Sequence, residues 1–303
     1  MEEKRFDNPH LWLFLVAVIW GFNFSIVKAG VMELGPLSFS FTRFVLSGIL
    51  MLVVLWRLEG SIGIERKHLP YFFLLGALGF GIYQPLWSIG LQLGLASHSA
   101  VILSLSPVVV TLLTFFRREE GIFWVNVVGI GVGFLGVTFL VRGGEGNPTA
   151  ASYIMRGNLL TFIAAVCWGM YSYFGRKMVR IYSPLKTSTW SIIFGLVIMF
   201  PLALSEMRDL ALSQFNSTVI FALFYGTVLS SLLSYIIWMN GVKKLGASRT
   251  LSYQYVIQVV GVVAAWLIFA EPLGWRVIVG MCFISLGLWL SQKRKPHFRS
   301  ISI

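Results

Sequence analysis

Polar and aromatic side chains inside long apolar stretches are the residues of this chain that could do chemistry. A polar group in apolar surroundings costs free energy, so each one needs a structural or functional reason. Indole and phenol rings stack on organic molecules, whereas amide and hydroxyl groups form hydrogen bonds with them. The candidates are Trp20, Asn23, Arg43, Tyr83, Gln84, Trp87, Ser104, Trp168, Tyr171, Tyr235, Trp238, Gln254 and Gln258. Together they predict the wall of a central cavity. The alternative is that they join helices by hydrogen bonds or form aromatic belts at the membrane interfaces.

The spacing of several candidates places them on common helix faces. Tyr83 and Trp87 are four residues apart, and Gln84 and Trp87 are three apart, so a helix presents each pair on one side. Gln254 and Gln258 are separated by one helical turn. A face that carries both amide and aromatic groups suits a cavity better than lipid. We therefore expect these positions to face the interior of the protein.

Arg43 is the deepest predicted cation. It follows Pro36 by seven residues, which places it about 10 Å along a helix. Its guanidinium could bind a substrate carboxylate or act at a gate, or it could extend to the interface and bond helix-end carbonyls. The acidic residues Glu119, Glu120 and Glu271 are instead expected at helix ends. A cavity with a cation and no acid favours a neutral, zwitterionic or anionic solute over a permanent cation.

The chain offers little for catalysis or metal binding. Its four histidines are spread through the sequence, and Cys167 and Cys282 have no neighbouring ligand. Neither a phosphate-binding loop nor the spacing of a zinc protease is present. We therefore predict no catalytic residue, no metal and no cofactor, and a protein that is not an enzyme. The alternative function is a membrane-embedded enzyme, for example a transferase that acts on a lipid at the interface.

Ten apolar stretches must position these side chains. Each is close to the roughly 20 residues that cross a bilayer as a helix. The stretches cover 11–28, 37–56, 71–93, 96–116, 123–141, 159–177, 187–204, 219–239, 251–270 and 275–290. The chain is 57% apolar and 12% charged, whereas a soluble domain carries about 25% charged residues. The sequence therefore predicts an all-α integral membrane protein with ten transmembrane helices.

The second half of the sequence repeats the first. The matching pairs include Trp20 with Trp168 at a shift of 148 residues, and Trp87 with Trp238, Glu120 with Glu271 and Trp124 with Trp275 at a shift of 151. Five helices per half is an odd number, so the halves must cross the membrane in opposite senses, as a 5+5 inverted-topology repeat. We place the first repeat at 1–142, a linker at 143–156, the second repeat at 157–292 and a basic tail at 293–303.

The positive charges are distributed unevenly between alternate loops. The formal net charge is +12, which on its own would suit binding to nucleic acid. With the N-terminus inside, however, 18 Lys and Arg residues fall in inside segments and five in outside segments. This bias follows the positive-inside rule and predicts that both termini are cytoplasmic. We expect no nucleic-acid partner.

In its motifs and their order, the sequence resembles the EamA family of the drug/metabolite transporter superfamily. The resemblance rests on Trp-Gly in the first and sixth stretches, on 104–107 (Ser-Leu-Ser-Pro), and on the acid after the fourth and ninth stretches, followed by Gly-rich helices. It covers nearly the whole chain, from about 12 to 290. One departure is Gln258, where family members often carry Pro, so the ninth helix is expected to bend less there.

The resemblance implies a transporter of small metabolites, often an exporter of amino acids or related compounds, in a bacterial inner membrane. With the inverted repeat it predicts alternating access around the central aromatic and polar cavity. The expected partners are a small-molecule substrate and the lipid bilayer. Gly129, Gly133 and Gly136 form small-residue faces on the fifth helix, which predict either a homodimer through the fifth and tenth helices or tight packing within one chain.

Overall fold

The described part of the chain is built from helices. The computed structural model describes residues 8–117, 124–141 and 148–291, and these residues contain no strand. The α-helices are α1 (Pro9–Leu34), α2 (Pro36–Glu59), α3 (Leu69–Gly76), α4 (Tyr83–Leu93), α5 (Ala96–Leu103), α6 (Ser106–Phe116), α7 (Trp124–Val141), α8 (Pro148–Ile181), α9 (Pro184–Arg208), α10 (Ser217–Phe224), α11 (Ser234–Leu245), α12 (Ala247–Leu251), α13 (Gln254–Phe269) and α14 (Trp275–Ser291). Residues 148–156, expected in the linker, form the first turns of α8. Glu119, Glu120, residues 143–147 and the basic tail 293–303 lie outside the described residues.

In the described part of the chain, eight helical segments are long and apolar enough to cross a membrane. They are Pro9–Leu34, Pro36–Glu59, Arg66–Leu93, Ala96–Phe116, Ala151–Ile181, Pro184–Arg208, Ser217–Leu245 and Arg249–Phe269, and the shorter apolar helices Trp124–Gly136 and Trp275–Leu290 add to them. Large apolar side chains such as Phe116, Trp124 and Val197 lie mostly exposed on the outside of the bundle. Such a surface suits lipid rather than water. The prediction of an all-helical, multi-pass membrane protein is confirmed.

Charged side chains at helix ends define two faces of the bundle. We call the end where α1 begins the N-terminal face and the end where α1 stops the far face. On the far face the Glu206 carboxylate, at the end of α9, accepts hydrogen bonds from the N–H groups of Leu37 and Ser38, both at 2.9 Å. It thereby caps the first turn of α2. On the N-terminal face Glu59, at the end of α2, forms an ion pair with Lys186 in the first turn of α9, at 3.4 Å. The two helices are therefore antiparallel.

π-helical segments interrupt two spans at repeat-equivalent positions. Ala77–Gly81 separates α3 from α4, and Tyr225–Leu233 separates α10 from α11. A shift of 151 residues brings the first segment inside the second. A π turn holds more residues than an α turn and so rotates the side chains beyond it. The rotation decides which side chains of α4 and α11 face the centre of the bundle.

The spans formed by α5 with α6 and by α12 with α13 are also broken. In the first half α6 begins at Ser106 with Pro107 in its first turn. In the second half α12 ends at Leu251 and α13 begins at Gln254. A break therefore exists in both halves, and in the second half it lies before Gln258 and needs no proline.

The two halves are interleaved rather than separate. α1 packs mainly against α13 and against the α10–α11 region of the second half. Its counterpart α8 packs against α4, α5 and α6 of the first half, while α2 packs against its own counterpart α9. The pattern of contacts is thus the same when the halves are exchanged. α1 and α8 lie at the centre, and they carry Trp20 and Trp168.

α7 and α14 pack chiefly on each other at the edge of the bundle. The contact is backbone to backbone: a Cβ added at Gly287 would lie 2.4 Å from the Gly133 nitrogen and 2.6 Å from the Gly129 oxygen. A Cβ added at Gly136 would lie 2.8 Å from the Gly280 oxygen. The glycine faces are therefore covered by a helix of the same chain. A homodimer along these helices would have to use their outer faces, and it stays a prediction.

Candidate functional site

A nearly closed cavity lies in the middle of the bundle. Its volume is about 30 Å³, which is room for two or three water molecules at roughly 10–15 Å³ each. The residues that line it are Trp20, Asn23, Phe24, Arg43, Tyr83, Gln84, Trp87, Leu103, Trp168, Ser230, Tyr235, Gln254 and Ile257. Most of the predicted site residues thus share one wall. Phe24, Leu103, Ser230 and Ile257 were missed, because apolar and small side chains carry no signal inside an apolar helix.

Aromatic rings from both halves form the bulk of the wall. The Trp20 ring lies 5.4 Å from the Trp168 ring and 5.6 Å from the Tyr235 ring, both edge to face. The indole N–H of Trp20 donates to the Ser230 carbonyl at 3.0 Å, which holds the ring in place. Trp87 lies parallel to Tyr83 with centroids 6.3 Å apart. Rings held edge to face leave π surfaces that an organic group can contact.

Residues that are equivalent in the two repeats touch each other at this cavity. Trp20 and Trp168 are equivalent at a shift of 148 residues, and their rings are in contact. Gln84 and Tyr235 are equivalent at a shift of 151, and the Gln84 amide donates to the Tyr235 hydroxyl at 3.2 Å. Two symmetry mates meet only near the axis that relates them. The cavity therefore lies where the two repeats face each other.

Several buried polar atoms of the wall have no hydrogen-bond partner among the residues that the structure describes. The oxygens of the Asn23, Gln84 and Gln254 amides are acceptors of this kind. The indole N–H groups of Trp87 and Trp168 are donors of this kind. Leaving a buried polar group unpaired costs about 1–3 kcal/mol. Acceptors and donors that converge without partners are what a polar solute would satisfy.

Arg43 points into the protein rather than to the interface. The residue is 2% exposed, and its Nη2 donates to the hydroxyls of Ser230 and Ser231 at 3.1 and 3.3 Å. Its Nε has no partner. Gly226 makes room for the side chain, because a Cβ there would lie 2.8 Å from Arg43 Cδ. The π-helical segment Tyr225–Leu233 of the second half thus holds the Arg43 guanidinium of the first half at the cavity.

Four predicted residues lie behind the wall. Tyr171 stacks on Trp168 at 5.3 Å, and Trp238 packs against Trp20 at 4.8 Å, so both rings support the wall instead of forming it. The Gln258 amide accepts from the Ser104 hydroxyl at 2.9 Å and donates to the Ser285 hydroxyl at 2.5 Å. Ser104 and Gln258 therefore join α5, α13 and α14. Gln258 lies one turn, about 6 Å, beyond Gln254 along α13, at the level where α13 meets Ser104 and Ser285 instead of the cavity.

A buried ion pair joins the end of α1 to the segment after α13 toward the far face, and the sequence did not predict it. The Lys28 ammonium lies 3.0 Å from the Glu271 carboxylate and donates to the Gly94 carbonyl at 2.8 Å. The same carboxylate accepts from the N–H of Ala96 at 2.8 Å and from the N–H and hydroxyl of Ser97 at 2.9 and 2.6 Å. Sequence reasoning placed Glu271 at a helix end and Lys28 in an outer segment, and 243 residues separate them.

The surroundings of Glu271 favour its charged form. Burial by itself raises the pKa of this carboxyl, but the Lys28 charge and the hydrogen bonds from Ser97 and Ala96 outweigh burial and hold the pKa below its usual value. His98 is buried nearby, and its ring contacts the Asn158 amide at 3.2 Å. Within the described residues no group of His, Cys, Asp and Glu has the arrangement of a metal site.

Comparison of this sequence with known protein families shows the family to which the chain belongs. The model of the EamA-like transporter family matches residues 8–142 and matches again at 155–292. The chain belongs to this family. The predicted EamA membership is thereby confirmed, and the chain is a membrane transporter by family.

Full-length relatives of this EamA family chain carry transporter names. The uncharacterized transporter YyaM of Bacillus subtilis is 26% identical over 93% of this chain and 92% of its own length. A probable terminal-alkyne amino-acid exporter of Streptantibioticus cattleyicolor is 23% identical over 93% and 92%. A probable amino-acid metabolite efflux pump of Salmonella typhimurium is 25% identical over 91% and 92%. A protein crystal structure that is 17% identical superposes with a TM-score of 0.62 over 93% of this chain and 95% of that chain, so the two share a fold.

Proposed function

We propose that this EamA family member is a secondary exporter of small organic metabolites, such as amino acids or related compounds. The observation that carries the proposal is the meeting of repeat-equivalent residues at an aromatic and polar cavity. Transporters built from inverted repeats bind their substrate at the interface between the repeats, near the middle of the membrane. The names of the relatives that export amino acids or their metabolites support the direction and the substrate class.

The mechanism we propose is alternating access by two inverted repeats of five spans each. Eight long apolar segments and two shorter ones support the count of ten. The antiparallel arrangement of α2 and its repeat counterpart α9 supports the inversion. A cavity of about 30 Å³ cannot hold an amino acid, so the substrate binds after the halves separate on one face. Opening of the far face must then either break the contacts that Glu271 makes with Lys28 and the α5 N-terminus or move the three groups as one unit.

The cavity chemistry favours a zwitterionic or anionic solute with an apolar part. Arg43 carries the positive charge of the cavity wall, and its Nε is without a partner. It suits a carboxylate, whereas the amide oxygens of Asn23, Gln84 and Gln254 suit an ammonium or hydroxyl donor. The rings of the wall suit an apolar side chain. A permanent cation without a carboxylate would lie next to Arg43 with no counter-charge.

The test is counterflow in proteoliposomes with a matched pair of tryptophan variants. Trp87 and Trp238 are equivalent in the repeats, but only Trp87 lines the cavity. Trp87→Phe keeps an aromatic ring and removes the unpartnered indole donor. We expect the KM for an exported amino acid to rise on the order of tenfold, the usual loss for one hydrogen bond to a charged group. Trp238→Phe should change KM by less than about twofold, because its ring supports the wall from behind.

Two results would contradict the proposal. Saturable, counterflow-stimulated flux marks a carrier, so chemical turnover of the solute without flux would instead mark an enzyme. Equal KM values for the two variants and the parent would remove the cavity from the transport path. Quaternary ammonium compounds as the best substrates would contradict the electrostatic argument and leave the carrier mechanism standing.

A further inference from the structure

A second pocket opens on the N-terminal face, away from the central cavity. It lies between the start of α3, the end of α6 and the last turns of α8, and its volume is about 730 Å³. We call it the basic recess. The residues that line it are Tyr71, Leu74, Arg117, Tyr173, Phe174, Arg176, Lys177, Arg180 and Ile181. Among these described residues four are cations and none is an acid.

The cations are held at the mouth of the recess. Arg117, Lys177 and Arg180 are exposed, and the Lys177 ammonium lies 5.0 Å above the Tyr71 ring. The Tyr71 hydroxyl donates to the Phe174 carbonyl at 3.0 Å, which ties α3 to α8. Three cations around one opening can converge on a single anionic group.

The repeat shows that the fold does not require these charges. At shifts of 148 and 151 residues, Lys177 corresponds to Ala29, Arg180 to Met32 and Arg117 to Ile268. Arg176 corresponds to Lys28, so both repeats carry a cation at this position. The charge of Arg176 is therefore not specific to the recess. The argument for a ligand therefore rests on Arg117, Lys177 and Arg180. The positive-inside rule explains the sign of these charges but not their concentration at one pocket.

Apolar side chains continue from the recess to the outside of the bundle. Leu74 and Ile181 line it and are 37% and 48% exposed. Next to them Phe73 and Phe116 are 47% and 73% exposed. A ligand that fits the whole surface needs an anionic head for the recess and an apolar tail for this edge. Free phosphate or a soluble anion would leave the apolar edge uncovered.

We propose that the basic recess binds the phosphate headgroup of an anionic phospholipid, with the acyl chains along Leu74, Phe116 and Ile181. Basic pockets between transmembrane helices on the cytoplasmic side suit such headgroups. The occupied site would join α3, α6 and α8, which belong to different repeats. The site is separate from the substrate cavity, so its test needs no transport.

The test uses the purified full-length protein in detergent, with thermal unfolding as the measurement. Phosphatidylglycerol, phosphatidylcholine and inorganic phosphate are titrated separately. We expect phosphatidylglycerol to stabilise the protein and the other two to leave the unfolding temperature unchanged, because a ligand stabilises the state it binds. The triple variant Arg117→Gln, Lys177→Gln, Arg180→Gln should bind phosphatidylglycerol on the order of 100-fold more weakly, since each cation near a lipid surface contributes roughly fivefold.

A charge-matched control separates the recess from general surface charge. Arg57→Gln, Arg66→Gln and Lys243→Gln also remove three exposed cations from the N-terminal face, outside the recess. This variant should bind phosphatidylglycerol within about threefold of the parent. Equal weakening in both triple variants would overturn the site. Stabilisation by inorganic phosphate that competes with phosphatidylglycerol would overturn the lipid assignment. Should the recess triple fail to fold, Arg180→Gln alone at the exposed end of α8 should weaken binding about fivefold.

Discussion

At the scale of single residues, two features together mark a candidate substrate contact: the side chain lines the cavity, and one of its polar atoms has no partner among the described residues. The chain has amide side chains both at the wall and behind it. Gln254 has an unpartnered oxygen and lines the cavity, whereas both ends of the Gln258 amide bond to serines. An amide that already has its partners holds helices together. An amide without them is available to a ligand.

The two glutamines therefore give a matched test. Gln254→Ala should raise the KM of the exported solute on the order of tenfold with little change in thermal stability, because a ligand contact is lost. Gln258→Ala should leave KM nearly unchanged and lower the free energy of unfolding by about 1–2 kcal/mol, because the Ser285 hydroxyl loses this partner and the Ser104 hydroxyl keeps only the Val101 carbonyl. Counterflow and thermal unfolding of both variants check this. The opposite assignment of effects would show that Gln258, as the sequence first suggested, is the contact with the substrate.

Residue types predicted much of this wall, and local helix geometry explains the errors. Trp20, Trp87 and Tyr235 were predicted at the cavity from aromatic character inside apolar segments, and they line it. Spacing alone could not separate Gln254 from Gln258, because residues four apart share one face of a helix and differ only in their position along its axis. Ser230 was missed because it lies in a π-helical segment, which has no sequence signal of its own.

At the scale of elements, carboxylates of one half hold helix starts of the other half. Glu271, just after α13, accepts from the first N–H groups of α5, and Glu206, at the end of α9, does the same for α2. Both satisfy N–H groups that a helix start leaves unpaired. Glu271 is buried, accepts a further hydrogen bond from the Ser97 hydroxyl and has the Lys28 ammonium beside it at 3.0 Å, whereas the contacts of Glu206 are only partly buried. A comparison of the two positions therefore contrasts a buried, ion-paired cap with a partly buried one.

We expect Glu271→Gln to destabilise the protein more than Glu206→Gln. The first leaves the Lys28 charge buried without a counter-charge, which costs on the order of 3 kcal/mol. The second weakens a helix cap that has a partly buried acid, at a cost of about 1 kcal/mol. Thermal unfolding of the two variants measures the difference. Adding Lys28→Met to Glu271→Gln should recover part of the loss, because the uncompensated charge is then removed. No recovery would show that the two side chains are not coupled.

The same pair predicts a pH dependence. The pKa of Glu271 is below its usual value in the folded protein, so its charged form stabilises the fold above the unfolded pKa of about 4.3. This contribution is lost as the pH falls through the lower, folded pKa. The stability gap between the parent and Glu271→Gln should be constant from about pH 7 to 5 and should shrink below about pH 4. A constant gap at all pH values would contradict the assignment.

At the scale of the whole molecule, the internal repeat was the strongest signal in the sequence. It predicted which tryptophans correspond, and Trp20 and Trp168 meet at the cavity. It could not predict that α1 and α8 each insert into the opposite half, because packing partners far apart in sequence leave no local pattern. The Lys28–Glu271 ion pair could not be predicted from the sequence for the same reason. Its two residues lie in different repeats, and the motif that contains Glu271 does not name a partner for it.

The orientation in the membrane is the remaining prediction at this scale. The 18-to-5 distribution of positive charge between alternate segments puts the N-terminal face in the cytoplasm. Single cysteines can report this in a background where Cys167 and Cys282 are replaced by Ser. Ser61→Cys lies in the exposed loop after α2 on the N-terminal face, and Ser213→Cys in the exposed loop after α9 on the far face. We expect an impermeant thiol reagent to label Ser213→Cys in intact cells and Ser61→Cys only after the membrane is opened.

The control is equal labelling of both in detergent, where both sides are accessible. Labelling of Ser61→Cys alone in intact cells would invert the topology, and with it the side on which the basic recess meets lipid.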